Sequence, residues 1–364
     1  MSSSCRVSNF VVSLSLAACA DVGVRDGEPS PAQPSTGAQP EPGSSSSAAA
    51  ATSAGGADAS EDDGGSSSSA ASETTGDVGP PFSPGPHGCI TSVAPGVQTF
   101  PCDGLQTTVS APSACLEAPC GVVLDIHGAT MTADQQDANT NLRALGELHG
   151  YVVVQPTTDA LSWSAGHEHR IMTGLQDVIA AFQIDEDRVH VTGFSAGGGV
   201  TWVLLCAYPE VFASAAPAAA TGQYFGAAPV CFGSAPPSPE LDILYMNGTA
   251  DPFESMTHVE QLRDKILGDW AMDGGVQIDG DADFTRVRYQ DAMGTRFELL
   301  THDYQTDQSV GLPPLGVTLA GHCVPGSTDH TPALPGQLAG YGCKGDNAFH
   351  WGETALQFFI DNPR

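Results

Sequence analysis

Positive charge is scarce in this chain. Lys and Arg together number 12 against 42 Asp and Glu, which leaves a formal net charge of −30 over 364 residues. Without a basic stripe the chain offers nothing to a nucleic-acid backbone. Its acidic surface disfavours polyanionic partners and favours solubility. Long apolar runs are also missing. The apolar stretch near the start, Val7 to Leu16, is too short to cross a bilayer. Metal-ligand clusters are equally thin. His167-Glu168-His169 brings two histidines together, but no further ligand set accompanies them, so the pattern reads as a solvated loop. No metal and no cofactor is expected.

The first 86 residues read as export and tethering. Arg6, the run Val7 to Leu16 and the small residues of Leu16-Ala17-Ala18-Cys19 make a lipoprotein-type signal peptide over residues 1–19. Cys19 is then the lipidated residue and the new N-terminus, with ordinary secretion as the alternative. Residues 20–86 are built from Ser, Gly, Ala, Pro, Asp and Glu. Such a segment cannot bury enough apolar surface to offset its ordering entropy, so a disordered tether is predicted. Its root-mean-square reach is roughly 45 Å. Membrane contact is expected only through the lipid anchor.

Residues 87–364 suffice for one domain with a large core, expected to act as a monomer. Strand-like runs occur at Val122 to Ile126, Tyr151 to Gln155, Val189 to Val191, Leu241 to Met246 and Gly316 to Ala320. Helical patterns lie between and after them. Asn141 to His149 places Leu142, Leu145 and Leu148 on one face; Ile171 to Phe182, Val200 to Tyr208 and Thr354 to Ile360 follow. Alternation of this kind predicts an α/β class: a mainly parallel sheet covered by helices on both faces.

The chemistry centres on Gly193-Phe194-Ser195-Ala196-Gly197, between a strand and a buried helix. In a chain with 42 glycines the pentapeptide alone is weak. Its strand–turn–helix setting is that of a nucleophile elbow in an α/β-hydrolase fold. Triad partners then follow in the order acid, histidine. Asp251, just past the Leu241 strand, is the expected acid, with Asp242 as runner-up inside that strand. His322, in the glycine-bearing loop after the Gly316 strand, is the expected base, ahead of His350 and His330. Backbone N–H groups of Ala196 and of Ala129, in the loop after Ile126-His127-Gly128, are the expected oxyanion donors. His127 is placed on the substrate side.

Several segments, in order, carry a resemblance. They are Leu124-Asp125-Ile126-His127-Gly128, Gly150 to Pro156, Ile184 to Gly198, Tyr208 to Ala213, Asn247-Gly248-Thr249-Ala250-Asp251-Pro252 and Gly321-His322-Cys323-Val324-Pro325-Gly326. Together they resemble the polyhydroxybutyrate depolymerase / feruloyl esterase group of secreted α/β-hydrolases. The resemblance implies Ser195 as nucleophile, Asp251 as acid, His322 as base and Trp163 near the substrate. It implies an exported serine esterase acting on polyhydroxybutyrate-type polyester or its oligomers. The alternatives are a feruloyl or acetyl esterase of plant polysaccharide, and a non-catalytic surface lipoprotein that retains the fold. The segment between Trp163 and Asp187 is short for the group.

Ten cysteines occur, two of them, Cys5 and Cys19, in the export segment. An even remainder in an exported domain implies disulfides. Proximity along the chain favours Cys89–Cys102, Cys115–Cys120, Cys206–Cys231 and Cys323–Cys343 among the 105 connectivities that eight cysteines allow.

Overall fold

The computed structural model describes residues 82–160, 162–221, 241–310, 316–327 and 340–364. The expected signal peptide, Cys19, most of the expected tether, Cys231 and His330 lie outside the described residues.

The chain opens with a hairpin, β1 (Gly96–Cys102) and β2 (Leu105–Ala111), and then alternates. The order is β3 (Gly121–Ile126), α1 (Ala133–Thr140), α2 (Leu142–His149), β4 (Tyr151–Thr157), α3 (His167–Phe182), β5 (Val189–Phe194), α4 (Ala196–Ala207) and β6 (Ser214–Ala218). After β7 (Asp242–Gly248) and α5 (Met256–Asp269) come β8 (Val276–Gly280), β9 (Phe284–Gln290) and β10 (Arg296–His302). A separate ribbon, β11 (Thr306–Val310) and β12 (Val317–Ala320), precedes the last helix, α6 (Trp351–Asp361).

One sheet runs β1-β2-β4-β3-β5-β6-β7-β10-β9-β8. The pairs from β4 to β10 are parallel, and the two edges are antiparallel hairpins. The parallel strands are apolar along nearly their whole length because helices cover both faces. Alternate side chains of β3 sort to the two faces. Val122, Leu124 and Ile126 join Ile171, Leu175 and Val178 of α3, Trp202 of α4 and Val259 and Leu262 of α5 in one core. Val123 joins Leu142 and Leu145 of α2 and Trp351, Leu356 and Phe359 of α6 in the other. Each such aliphatic side chain contributes about 1.5–3 kcal/mol by leaving water. This is the α/β-hydrolase fold.

One polar residue interrupts β3. Asp125 is fully buried and accepts from Gln136 Nε2 (2.7 Å), Gln155 Nε2 (2.8 Å) and Thr140 Oγ1 (3.0 Å). That explains α1, whose buried residues include Gln136, Asn139 and Thr140. Thr132 starts the helix through reciprocal bonds with Gln135, and the Asp125 carboxylate holds its polar face on the sheet.

Several expectations need correction. Leu148 is 76% exposed, while Leu142 and Leu145 are buried. Six residues advance about 600° around a helix, far enough from Leu142 to leave the buried stripe. The Gly316 strand is β12, paired with β11 outside the main sheet; the last strand of the main sheet is β10. His167-Glu168-His169 is the first turn of α3, not a loop. His167 is buried there and accepts the Ser164 N–H at Nδ1, 2.8 Å. Pro156 does not close β4, because it sits opposite Thr107 inside the β2–β4 pairing.

Three disulfides join Cys89 to Cys102, Cys115 to Cys120 and Cys323 to Cys343, in the pairing expected. Cys206 is also disulfide-bonded. Cystines of this density belong to an exported protein folding in an oxidising compartment. Among the described residues no helix is long and apolar enough to cross a membrane.

Candidate active site

Ser195 sits at the turn between β5 and α4 with φ 53° and ψ −118°. Positive φ is strained for a residue with a side chain and persists where surroundings hold it. Here the Ser195 N–H donates to Ala218 O of β6 at 2.9 Å. The turn is tight enough that a Cβ on Gly197 would lie 1.9 Å from Ile126 O. Only glycine lets α4 start this close to the end of β3. The half-buried hydroxyl is therefore presented at the carboxyl ends of the strands, where open α/β sheets gather their functional groups.

Two further turns converge on it. Asp251 follows β7, and its Oδ1 accepts the N–H groups of Phe253 (2.8 Å) and Glu254 (2.9 Å). Asn247 Nδ2 donates to Gly248 O and Glu254 O, closing the same turn. Asp251 Oδ2 lies 2.7 Å from His322 Nδ1, and His322 Nε2 lies 2.8 Å from Ser195 Oγ. Asp251 and His322 are buried, 6% and 3% exposed. A carboxylate at Nδ1 fixes the proton there and leaves Nε2 to accept a hydrogen bond from the Ser195 hydroxyl. The three expected residues thus form one unbroken chain of hydrogen bonds.

The loop after β3 closes another side. A Cβ on Gly128 would lie 3.5 Å from Ser195 Cβ, so this loop lies against the elbow. His127 is buried, with Nδ1 2.6 Å from Gly128 O, and burial lowers its pKa to about 4. The ring is therefore neutral, Nδ1 donates, and the buried Nε2 has no hydrogen-bond partner in the structure. Trp163 Nε1 donates to His127 O at 2.7 Å, and the two rings lie 4.5 Å apart. Trp163 is 4% exposed, so its indole braces this loop. Ala129 is half-buried beside the core, and Ala196 is the first residue of α4.

The other candidates sit elsewhere. Asp242 begins β7 and binds Arg296, at the opposite end of the strand from the site. His350 occupies the N-cap position of α6, exposed, against Gly326. Among the described residues no group of three His, Cys, Asp or Glu is placed to hold a metal ion.

Sequence reasoning missed what surrounds the histidine. The His322 ring has Phe194 and Phe253 at 4.9 Å and Tyr341 at 6.1 Å, centroid to centroid. It also missed Glu254, which is buried, accepts from Thr221 N and Oγ1, and pairs with His258 Nδ1 at 3.0 Å. Burial raises the pKa of Glu254. Its place three residues after Asp251 was the available signal.

Residues 107–252 match a family model described as esterase PHB depolymerase. The chain resembles polyhydroxybutyrate depolymerases and feruloyl esterases. The match contains Ser195 and Asp251; His322 lies beyond it. A poly(3-hydroxyalkanoate) depolymerase C of Paucimonas lemoignei is 34% identical over 130 residues, 32% of this chain and 31% of that protein. A feruloyl esterase B of Neurospora crassa is 30% identical over 127 residues, 31% of this chain and 41% of that protein. The chain thus spans less than half the length of these two curated relatives. The solved structure of an acetyl xylan esterase from Aspergillus awamori superposes with a TM-score of 0.47 at 17% identity, covering 57% of this chain and 92% of the other.

Proposed function

We propose that the protein is an exported serine hydrolase of carboxylic esters. The observation that carries this reading is the Asp251–His322–Ser195 hydrogen-bond chain, 2.7 Å and 2.8 Å, at the tip of a strained elbow. His322 Nε2 takes the Ser195 proton as Oγ attacks the ester carbonyl. The N–H groups of Ala129 and Ala196 hold the oxyanion, and Asp251 stabilises the imidazolium. The imidazolium then protonates the leaving alcohol. Water, activated by the same histidine, releases the acid from the acyl-enzyme.

The substrate we favour is a polyhydroxybutyrate-type polyester or its oligomers, in line with the matched family model. The similarity to a feruloyl esterase supports phenolic or acetyl esters of plant polysaccharide as the second reading. In either case His127 and Trp163, both buried, act on the substrate side through the loop they brace. The test is hydrolysis of p-nitrophenyl esters, methyl ferulate and polyhydroxybutyrate film by the purified protein. Ser195→Ala and His322→Ala should each lose on the order of 10⁴-fold or more in kcat, because nucleophile and base act as a unit. His350→Ala should stay near wild type. An active Ser195→Ala protein would end this reading.

The chain is further proposed to be anchored through acylated Cys19, with residues 20–86 as the tether. Cys19→Ala should move the protein from the membrane fraction to the soluble one, since a multiply acylated terminus binds stably. An intact mass without lipid would rule the anchor out.

A further inference from the structure

Turnover by the proposed route charges His322, a buried side chain, and the structure shows what surrounds that charge. Asp251 Oδ2 occupies Nδ1 and Ser195 Oγ occupies Nε2. Phe194 lies 4.9 Å away at 42°, Phe253 4.9 Å away at 68°, and Tyr341 6.1 Å away at 73°. Each ring is delivered by a different part of the triad's own scaffold. Phe194 immediately precedes the nucleophile. Phe253 follows the acid by two residues and donates its N–H to the Asp251 carboxylate. Tyr341 precedes Cys343 by two residues, and Cys343 is bonded to Cys323, the neighbour of His322. Val324 N also donates to Tyr341 O at 2.7 Å, which ties the tyrosine segment to the histidine loop.

We propose that Phe194, Phe253 and Tyr341 form an aromatic box that stabilises the imidazolium state of His322. They are positioning residues, acting through the base and not on the substrate. The face of an aromatic ring carries negative charge density and attracts a cation within about 6 Å of its centroid, most strongly where water is excluded. Aromatic side chains also fix a neighbouring ring with little entropy of their own, because they have two rotatable bonds. The box thus supplies around the imidazole ring what Asp251 supplies at Nδ1. The step it assists is proton transfer: Oγ–H breaks, Nε2–H forms, and the positive charge spreads over the ring until the proton passes to the leaving oxygen.

Among the described residues, few charged or titratable groups compete for this role. Asp251 faces the ring from the β7–α5 turn. The Tyr341 phenol stays un-ionised, since burial pushes its pKa far up. His302, at the end of β10, interacts with the Asp251 charge but is kept neutral by burial, with its pKa lowered to about 4. Glu254 is committed to Thr221 and His258.

The inference rests on the esterase reading for its kinetics but has a readout of its own. Histidine ¹³Cε1–¹H NMR titration follows the His322 ring directly, its signal identified by absence from a His322→Asn protein. Phe253 is half-buried, so Phe253→Leu should fold, and leucine keeps the pocket apolar while removing the π face. The His322 titration midpoint should fall by about 0.7 pH unit in Phe253→Leu and stay at or above wild type in Phe253→Trp. Tyr341→Phe should leave it in place. Simple loss of shielding from water would move the midpoint upward instead, so an upward or absent shift overturns the proposal. In ester hydrolysis, kcat should drop about fivefold, roughly 1 kcal/mol, with KM unchanged and kcat restored in Phe253→Trp. If the midpoint shifts as stated while wild type cleaves no ester, the box stands and the esterase reading fails.

Discussion

Gly321 packs against the peptide of Asp251: a Cβ on Gly321 would lie 2.7 Å from the Asp251 amide nitrogen and 2.8 Å from the Ala250 carbonyl carbon. The turn bearing His322 and the turn bearing Asp251 therefore touch backbone to backbone. Gly321 N–H donates to Ala250 O at 3.2 Å across the same contact. This is how His322 and Asp251, 71 residues apart, come to share a hydrogen bond.

Gly321→Ala should therefore damage the site more than the fold. The methyl group meets backbone atoms that cannot rotate away, so the two turns must separate. Overpacking of this kind costs about 1–3 kcal/mol, whereas a displacement near 1 Å can lower turnover on the order of 100-fold. Thermal unfolding and steady-state kinetics on the same preparation separate the two effects. Full turnover with an alanine in place would show that the contact does not set the geometry.

The Cys323–Cys343 bridge acts on the same loop from the other side. The two cysteines are 20 residues apart, and both are buried with Tyr304 in one small cluster. Closing such a loop contributes about 3 kcal/mol by restricting the unfolded chain. A Cys323→Ser/Cys343→Ser protein should lose about that much stability in urea. It should also lose activity well below its unfolding midpoint, because the bridge holds His322 and Tyr341 in register. Activity that tracked the folded fraction alone would mean that the bridge is a staple without influence on the site.

What the sequence revealed and what it hid have physical reasons. The elbow was legible because a tight strand–helix turn demands glycine at fixed offsets, and Gly193 and Gly197 stand there. Asp251 and His322 were legible because each follows an apolar run, even though the run before His322 proved to be the small ribbon strand β12. The hairpin of β8 and β9 was not. All five residues of β8 are exposed, and β9 carries Arg286 and Arg288, which both bind the buried Glu298 of β10. Two partly exposed arginines paired to one buried glutamate erase the polar–apolar alternation by which a strand is read. Phe253 and Tyr341 were invisible for another reason: they lie in loops, where no periodicity says which way a ring faces.

Asp125 provides a pH test of the fold that carries the loop after β3. It is fully buried, and burial pushes its pKa up to about 6, opposed by the hydrogen bonds from Gln155, Gln136 and Thr140. In the unfolded chain an aspartate titrates near 4. Between roughly pH 4 and pH 6 the folded state therefore holds the extra proton, so this residue's contribution to stability falls as pH rises through that window. Above pH 6 the buried charge costs about 3 kcal/mol relative to the neutral form. Asparagine can keep the network. Its oxygen accepts from Thr140 and Gln155, and its amide donates to Gln136 Oε1, which has no partner in the structure, once that side chain turns over. Asp125→Asn should thus equal or exceed wild type by on the order of 1 kcal/mol at pH 7.5. The difference should shrink towards pH 4.5, where Asp125 itself is protonated. Urea unfolding at the two pH values measures it. A variant destabilised equally at both would show that the three hydrogen bonds need the carboxylate geometry and that its charge is not the burden inferred here.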